Sequence, residues 1–343
     1  RICRCIYAAD LGKSVILVEQ DSKLGGVCLN HGCIPSKALL HAAQVLSEAK
    51  AAHQMGIDFG TPKIKLDTMR AWKDGILSKL SGGIKGLAEK RGVKVLTGRG
   101  HFEDADTLRV ETEKGQQFIH FENAIIAVGS RPALPTVFDL GNKRIMTSTE
   151  ALELEEIPQK LLVVGGGYIG MELGTVYAAL GSEITLVEAH NTILSGADPD
   201  LVRPVMTYAK THFKEVRLGA KVQKLATSGK KIKVKMTVGE KTIEESYDRV
   251  LVSVGRVPNH EDLGLENAGV KLSERGFIEV NSRQQTSTSH IFAIGDIAGG
   301  VMLAHKASKE ARIAVEVICG QPSEFKNVLI PAVVFTHPEV AWV

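Results

Sequence analysis

The stretch from Lys160 to Glu188 constrains the fold most. Lys160 to Val164 reads as a short apolar strand, and Gly165-Gly166-Gly167-Tyr168-Ile169-Gly170 follows at a strand-to-helix turn. A helix is expected from about Tyr168 to Leu180, then a strand from Glu183 to Val187 ending at Glu188. Each glycine then has a steric reason. Gly165 makes the tight turn, Gly167 lets backbone approach a pyrophosphate, and Gly170 lets helix and strand pack closely. The helix N-terminus faces the phosphates. Glu188, about 20 residues on, is placed to accept from a ribose 2′-hydroxyl and would repel a 2′-phosphate, which favours NAD over NADP. The glycine pattern alone is weak; strand, turn, helix, strand and acid in order carry the reading.

Part of this unit recurs. Residues 11–19 read Leu-Gly-Lys-Ser-Val-Ile-Leu-Val-Glu and residues 180–188 read Leu-Gly-Ser-Glu-Ile-Thr-Leu-Val-Glu. Ala124-Ile-Ile-Ala-Val-Gly-Ser-Arg-Pro132 is echoed by Val250-Leu-Val-Ser-Val-Gly-Arg-Val-Pro258. Two copies of one nucleotide-binding unit explain both echoes. In the first copy a helix from about Ile6 to Asp10, a strand Ser14–Val18 and Glu19 remain, while Arg1 stands where the third glycine would be. The phosphate loop of that copy is therefore missing, and the sequence reads as a fragment or as one with an altered start.

Cys28 and Cys33 form a second constellation, in Gly25-Gly26-Val-Cys28-Leu-Asn-His-Gly-Cys33-Ile-Pro-Ser-Lys37. A disulfide needs Cα atoms about 4.4–6.8 Å apart, and Gly32 is free to take φ > 0 to close the loop. Pro35 suits the first turn of a helix, which puts Cys33 at or just before a helix N-terminus, where a thiolate is favoured. Lys37 follows one turn in. The competing view is two buried cysteines in an ordinary loop. Cys3, Cys5 and Cys319 make no metal-ligand spacing with this pair, so no metal is expected. One redox pair among five cysteines fits a reducing compartment.

Length and charge set bounds. A chain of 343 residues suggests two or three domains. A net charge of +3 is too small to argue for nucleic acid or membrane binding. No apolar run approaches about 18 residues, and no signal peptide is visible. Between the motifs, Pro35–Gln54 reads as a helix, and 67–91 as a helical stretch loosened by Gly82, Gly83 and Gly86. Strands are expected at Val93–Leu96, Leu108–Val110, Phe118–His120 and Ala124–Ala127, and near 216–226, 231–237, 242–247 and 249–254. A hinge is expected at 130–145. From Pro258 the chain rejoins the first domain, with strands Gly276–Val280 and Ile291–Asp296 and a helix from about Leu303 to Cys319. Asp296 is placed either to accept from cofactor hydroxyls or to cap the turn. The helix start at Met302-Leu303-Ala304-His305 offers N–H groups to an electron-rich ring.

With these pieces in place, the chain resembles the two-dinucleotide pyridine nucleotide–disulfide oxidoreductases, and within them the dihydrolipoamide dehydrogenase family. The carriers are the Gly25–Lys37 motif, Gly165-Gly-Gly-Tyr-Ile-Gly-Met-Glu172, Val254-Gly-Arg-x-Pro-Asn259, and Ile294-Gly-Asp296 with Met302-Leu-Ala-His305. The resemblance implies an α/β fold of two Rossmann-like domains, one for FAD and one for NAD. The FAD domain would be discontinuous: 1–145, then 258–325 after an NAD domain at 146–257. A truncated dimerisation domain would start at 326–343. Cys28 would meet the dithiol substrate, and Cys33 would lie against the flavin. Lys37 would sit near the flavin, paired with Glu172. Glu19, Gly25, Gly26, Gly100, the Ala127-Val128-Gly129-Ser130 turn, Asp296 and Met302–His305 would hold or border FAD. Gly165, Gly166, Gly167, Tyr168, Ile169, Gly170, Glu188, Val222 and Gly255 would line NAD.

Dihydrolipoamide on a lipoyl domain of a 2-oxoacid dehydrogenase complex would be the partner, and a homodimer the assembly. A bacterial cytoplasm or a mitochondrial matrix would be the location. The family takes its catalytic His-Glu pair from a C-terminal domain that is only beginning at Pro331–Val343; His337 and Glu339 read as surface residues. Another flavin disulfide reductase, of the mercuric or glutathione kind, or an inactive NAD-binding fragment, are the alternatives. His31 reads as an exposed loop residue, the other view being that it tunes a thiolate.

Overall fold

The computed structural model describes residues 2–343. Arg1, the counterpart of the third glycine, lies outside them. The chain forms two compact units, one of residues 1–30, 78–131 and 257–330, the other of residues 31–77, 132–256 and 331–343. Between the two units the chain crosses at 30/31, 77/78, 131/132, 256/257 and 330/331. Residues 31–77, expected within a continuous 1–145 segment, belong to the second unit because the Cys33–Ala51 helix packs on the Tyr168–Ala179 helix.

The second unit is built on a five-stranded parallel sheet. Its order is Glu215–Arg217, Glu183–Val187, Lys160–Val164, Arg249–Val252, Ile145–Met146. Alternate residues go to opposite faces, and both faces are covered, as parallel strands require. Leu161, Val163, Ile184, Leu186 and Leu251 meet Met171, Leu173, Tyr177 and Phe213 on the helical face. Leu162, Val164, Val187, Val250 and Val252 meet Ile232, Val234, Met236 and Tyr247 of a three-stranded antiparallel sheet. The expected hairpin is two of that sheet's strands, Lys231–Val238 and Lys241–Tyr247. The single strand expected at 216–226 is two, because Gly219 turns the chain at φ +60 between Arg217 and Ala220.

The first unit pairs Ile16–Glu19 with Lys94–Thr97, and Ile291–Ala293 with Ala124–Ile126, both in parallel. Arg99–Phe102, Thr107–Thr112 and Gly115–His120 form an antiparallel sheet. Gly276–Val280 is not a strand. Gly276 turns at φ +78 with its N–H on the Ser273 carbonyl, leaving only a bridge between Leu272 and Ile278. The Leu66–Lys90 helix is continuous, since Gly75, Gly82, Gly83 and Gly86 face open space and interrupt no packing. The helix Pro199–His212, not named from sequence, carried a signal that could have found it: Asp198 before Pro199, then Val202, Val205 and Ala209 on one buried face.

Candidate functional site

The glycine turn follows from overlap. A Cβ on Gly165, which sits at φ +103, would overlap the Ser253 carbonyl oxygen, and one on Gly170 would overlap the Gly165 carbonyl oxygen. At Gly167 a Cβ would meet nothing within 4 Å, so the start of the Tyr168–Ala179 helix faces open space. Glu188 is buried at the end of its strand and holds the turn. Its Oε2 accepts from Gly166 N–H at 2.6 Å and its Oε1 from His190 N–H at 2.7 Å. Tyr168 is exposed and Ile169 half-buried. Val222, at a bulge in the antiparallel sheet, follows Ala220, whose N–H donates to the Glu188 carbonyl at 2.9 Å. Gly255 turns at φ +129 beyond the Arg249–Val252 strand. An open helix start with a carboxylate at the neighbouring strand end suits a dinucleotide pyrophosphate and ribose.

Cys33 is the first residue of the Cys33–Ala51 helix and is exposed. Gly32 sits there at φ −150 and ψ −114, not at positive φ. The loop's left-handed glycines are Gly25 and Gly26, at φ 137° and 72°. Within the first turn Ser36 Oγ donates to Glu172 Oε2 at 2.7 Å. The Phe335 N–H donates to Glu172 Oε1 at 3.0 Å. Burial pushes the Glu172 carboxyl up, and Phe335, Ser36 and the Lys37 charge pull it part of the way back. Lys37 makes no direct ion pair with Glu172. Its exposed ammonium lies over the Phe335 ring, 4.0 Å from the centroid. Phe335 thus serves both residues, and nothing in its sequence context signalled that. His337 is exposed, edge-on to Tyr208 at 5.4 Å, and Glu339 is exposed too.

In the first unit, Cys28 lies half-buried on the short Gly26–Asn30 helix. Gly25 cannot carry a side chain, since its Cβ would overlap Leu29. Glu19 is buried at the end of its strand, accepting from Asp21 N–H at 3.3 Å. Gly100 is in the Arg99–Phe102 strand, packed on Leu108. The Ile291 strand ends at Ala293, short of the expected end at Asp296, which lies instead on a turn of 3₁₀ helix, Gly295–Ala298. The Ser130 hydroxyl, fully buried at the end of the Ala127-Val128-Gly129-Ser130 turn, donates to the Asp296 carboxylate. Met302 and Leu303 precede the exposed helix start at Ala304 and His305. The structure therefore joins Ser130 to Asp296 within this unit. A carboxylate held on a buried hydroxyl at a strand end, near an open helix start, fits the polyol and ring of a flavin nucleotide.

Residues 4–311 match the family model described as pyridine nucleotide-disulphide oxidoreductase. The chain belongs to this family. A relative named dihydrolipoyl dehydrogenase from Vibrio cholerae serotype O1 is 46% identical over 336 residues, 98% of this chain and 70% of the relative. Another of that name from Staphylococcus aureus is 46% identical over 340 residues, 98% of this chain and 72% of its own length. Among solved structures, the HOCl-induced flavoprotein disulfide reductase RclA of Escherichia coli, in its Cu(II) complex, superposes with a TM-score of 0.85 at 27% identity. That match covers 99% of this chain and 74% of RclA. The α/β fold read from sequence is that of these flavoprotein disulfide reductases. For a family oxidoreductase, no helix among the described residues is long and apolar enough to cross a membrane.

Proposed function

We propose that this oxidoreductase oxidises dihydrolipoamide to lipoamide through a Cys28–Cys33 disulfide, with FAD and NAD as cofactors. The observation that carries the reading is Cys33 as first residue of a helix, with Ser36 and Lys37 one turn on, engaged with Glu172 and Phe335. A helix N-terminus stabilises a leaving thiolate. The names of the 46%-identical relatives support the substrate.

A substrate thiolate attacks the Cys28 sulfur, the Cys28–Cys33 bond breaks, and Cys33 leaves as thiolate. The second substrate thiolate attacks its own sulfur in the mixed disulfide. Lipoamide departs oxidised, and the protein keeps both electrons as its dithiol. Bound FAD would supply the redox chemistry by which those two electrons reach NAD⁺ as a hydride. Glu19, Gly25, Gly26, Gly100, Ala127–Ser130, Asp296 and Met302–His305 would hold or border FAD, and Gly165–Gly170, Glu188, Val222 and Gly255 would hold NAD. The assembly would be a homodimer in a bacterial cytoplasm, serving lipoyl domains of a 2-oxoacid dehydrogenase complex.

In the full-length protein, Cys28→Ser is expected to abolish dithiol exchange and keep a thiolate–flavin charge-transfer band, while Cys33→Ser loses the band. The reverse pattern would exchange the two roles. Activity with oxidised glutathione and NADPH, and none with dihydrolipoamide and NAD⁺, would overturn the proposal.

A further inference from the structure

Lys306 and Glu310 form a buried ion pair on successive turns of the Ala304–Ile318 helix. Lys306 Nζ lies 2.6 Å from Glu310 Oε1, with the side chains 6% and 5% exposed. Desolvating two charges costs several kcal/mol, so such a pair is a poor device for stability alone. What distinguishes it is that the two partners reach the backbone N–H and carbonyl of one residue. The Gly295 N–H donates to Glu310 Oε2 at 2.7 Å, and Lys306 Nζ donates to the Gly295 carbonyl at 3.4 Å. Gly295 sits at φ +78, and a Cβ there would lie 3.3 Å from the Ala307 Cβ, so the residue is seated on the same helical turn. The next residue is Asp296, whose carboxylate takes the Ser130 hydroxyl.

We propose that Lys306 and Glu310 are positioning residues. By holding the N–H and the carbonyl of Gly295, which lie on the two peptide planes flanking its Cα, they fix its φ and ψ, and so set the direction in which Asp296 presents its carboxylate to the hydroxyls of bound FAD. Charge-assisted hydrogen bonds are about twice as strong as neutral ones, which suits a residue whose flanking peptides must not turn. The pair is neutral overall, so it adds no net charge beside Asp296. The inference rests on the FAD reading of Asp296.

The test uses the full-length protein, stripped of FAD and reloaded, with FAD affinity and visible circular dichroism of the bound flavin as readouts. Lys306→Met with Glu310→Leu removes both charges and the acceptor at similar volume. Apolar replacement of a buried ion pair is often neutral for stability, so this variant is expected to fold. FAD binding is expected to weaken by about tenfold or more, with an altered flavin dichroism and unchanged NAD binding. Lys306→Met with Glu310→Gln returns an acceptor to the Gly295 N–H and is expected to recover most of the affinity. Wild-type affinity and dichroism in the first variant, or equal losses in both, overturn the proposal. If the first variant does not fold, Lys306→Met with Glu310→Met is measured in its place, and an unchanged flavin dichroism overturns the proposal. Asp296→Asn separates the two ideas. If it binds FAD as wild type does, the reading of Asp296 fails. If it binds weakly while the Lys306 and Glu310 variants are unaffected, only the positioning pair fails.

Discussion

The Gly165 turn of the second unit and the Gly295 turn of the first each follow a buried parallel strand, and each carries a glycine at positive φ, 103° and 78°. They are held in different ways. At Gly165 the constraint is steric: Gly165, Gly166 and Gly170 each sit where a Cβ would strike backbone or a packed side chain. Two side chains also hold it, Glu188 from the adjacent strand end and Ser253 from just beyond the Arg249–Val252 strand. At Gly295 a Cβ would meet Ala307 only at 3.3 Å, and the turn is fixed by Ser130, Lys306 and Glu310. A turn set by overlap is sensitive to added atoms. A turn set by hydrogen bonds is sensitive to the loss of partners.

Gly170→Ala is the severest way to probe the steric turn. Its Cβ would overlap the Gly165 carbonyl oxygen and come 2.7 Å from Ser253 Oγ, and neither can retreat, because Ser253 is bonded to the Val164 and Gly165 carbonyls at 2.9 and 3.1 Å. The expected loss is about 3 kcal/mol of stability, read by urea unfolding, together with loss of NAD binding. Wild-type stability would show that the turn yields, and the contrast with Gly295 would fall. Glu188→Gln comes next. A carboxylate accepts both N–H groups, whereas an amide offers one oxygen and turns its NH₂ on the other donor. Leaving one buried donor unsatisfied costs about 1–3 kcal/mol. Weaker NAD binding at unchanged stability would mean that Glu188 does not tie the glycine turn.

This contrast also explains what could be read in advance. The reasons for Gly165, Gly167, Gly170 and Glu188 lie within one strand–helix–strand unit, so their spacing was sufficient. The partners of Asp296 and Gly295 come from Ser130, far upstream, and from a helix whose Lys306 and Glu310 look like ordinary surface charges in sequence. Phe335 joins Glu172 from the far end of the chain. The expected pairing of Lys37 with Glu172 is present only as an electrostatic relation and not as a direct ion pair, because the Phe335 ring supplies an alternative seat for the ammonium. The strand expected at Gly276–Val280 did not form because one positive-φ glycine outweighs a short apolar stretch.

Glu172 offers the finest test, because it lies on the helix that follows the Gly165 turn yet is held as Asp296 is, by distant partners. Burial raises its carboxyl above the ordinary value of 4.5, and Ser36, Phe335 and Lys37 only partly offset this. An acid with a raised native pKa binds more protons folded than unfolded, so stability falls as pH rises from the unfolded value through the native one. Each tenfold change in a group's acidity on folding is worth about 1.4 kcal/mol. Other carboxylates oppose the trend: Glu245, Glu261 and Glu316 are lowered by Arg217, Arg131, and Ser323 with Arg312. The quantity to measure is therefore the stability of wild type minus that of Glu172→Gln, by urea unfolding at a series of pH values. This difference is expected to decline as pH rises above about 4.5, and Lys37→Met in both backgrounds should steepen it. A difference that rises with pH would mean that the distant partners outweigh burial. Glu172 would then be held as firmly as the Gly165 turn beside it.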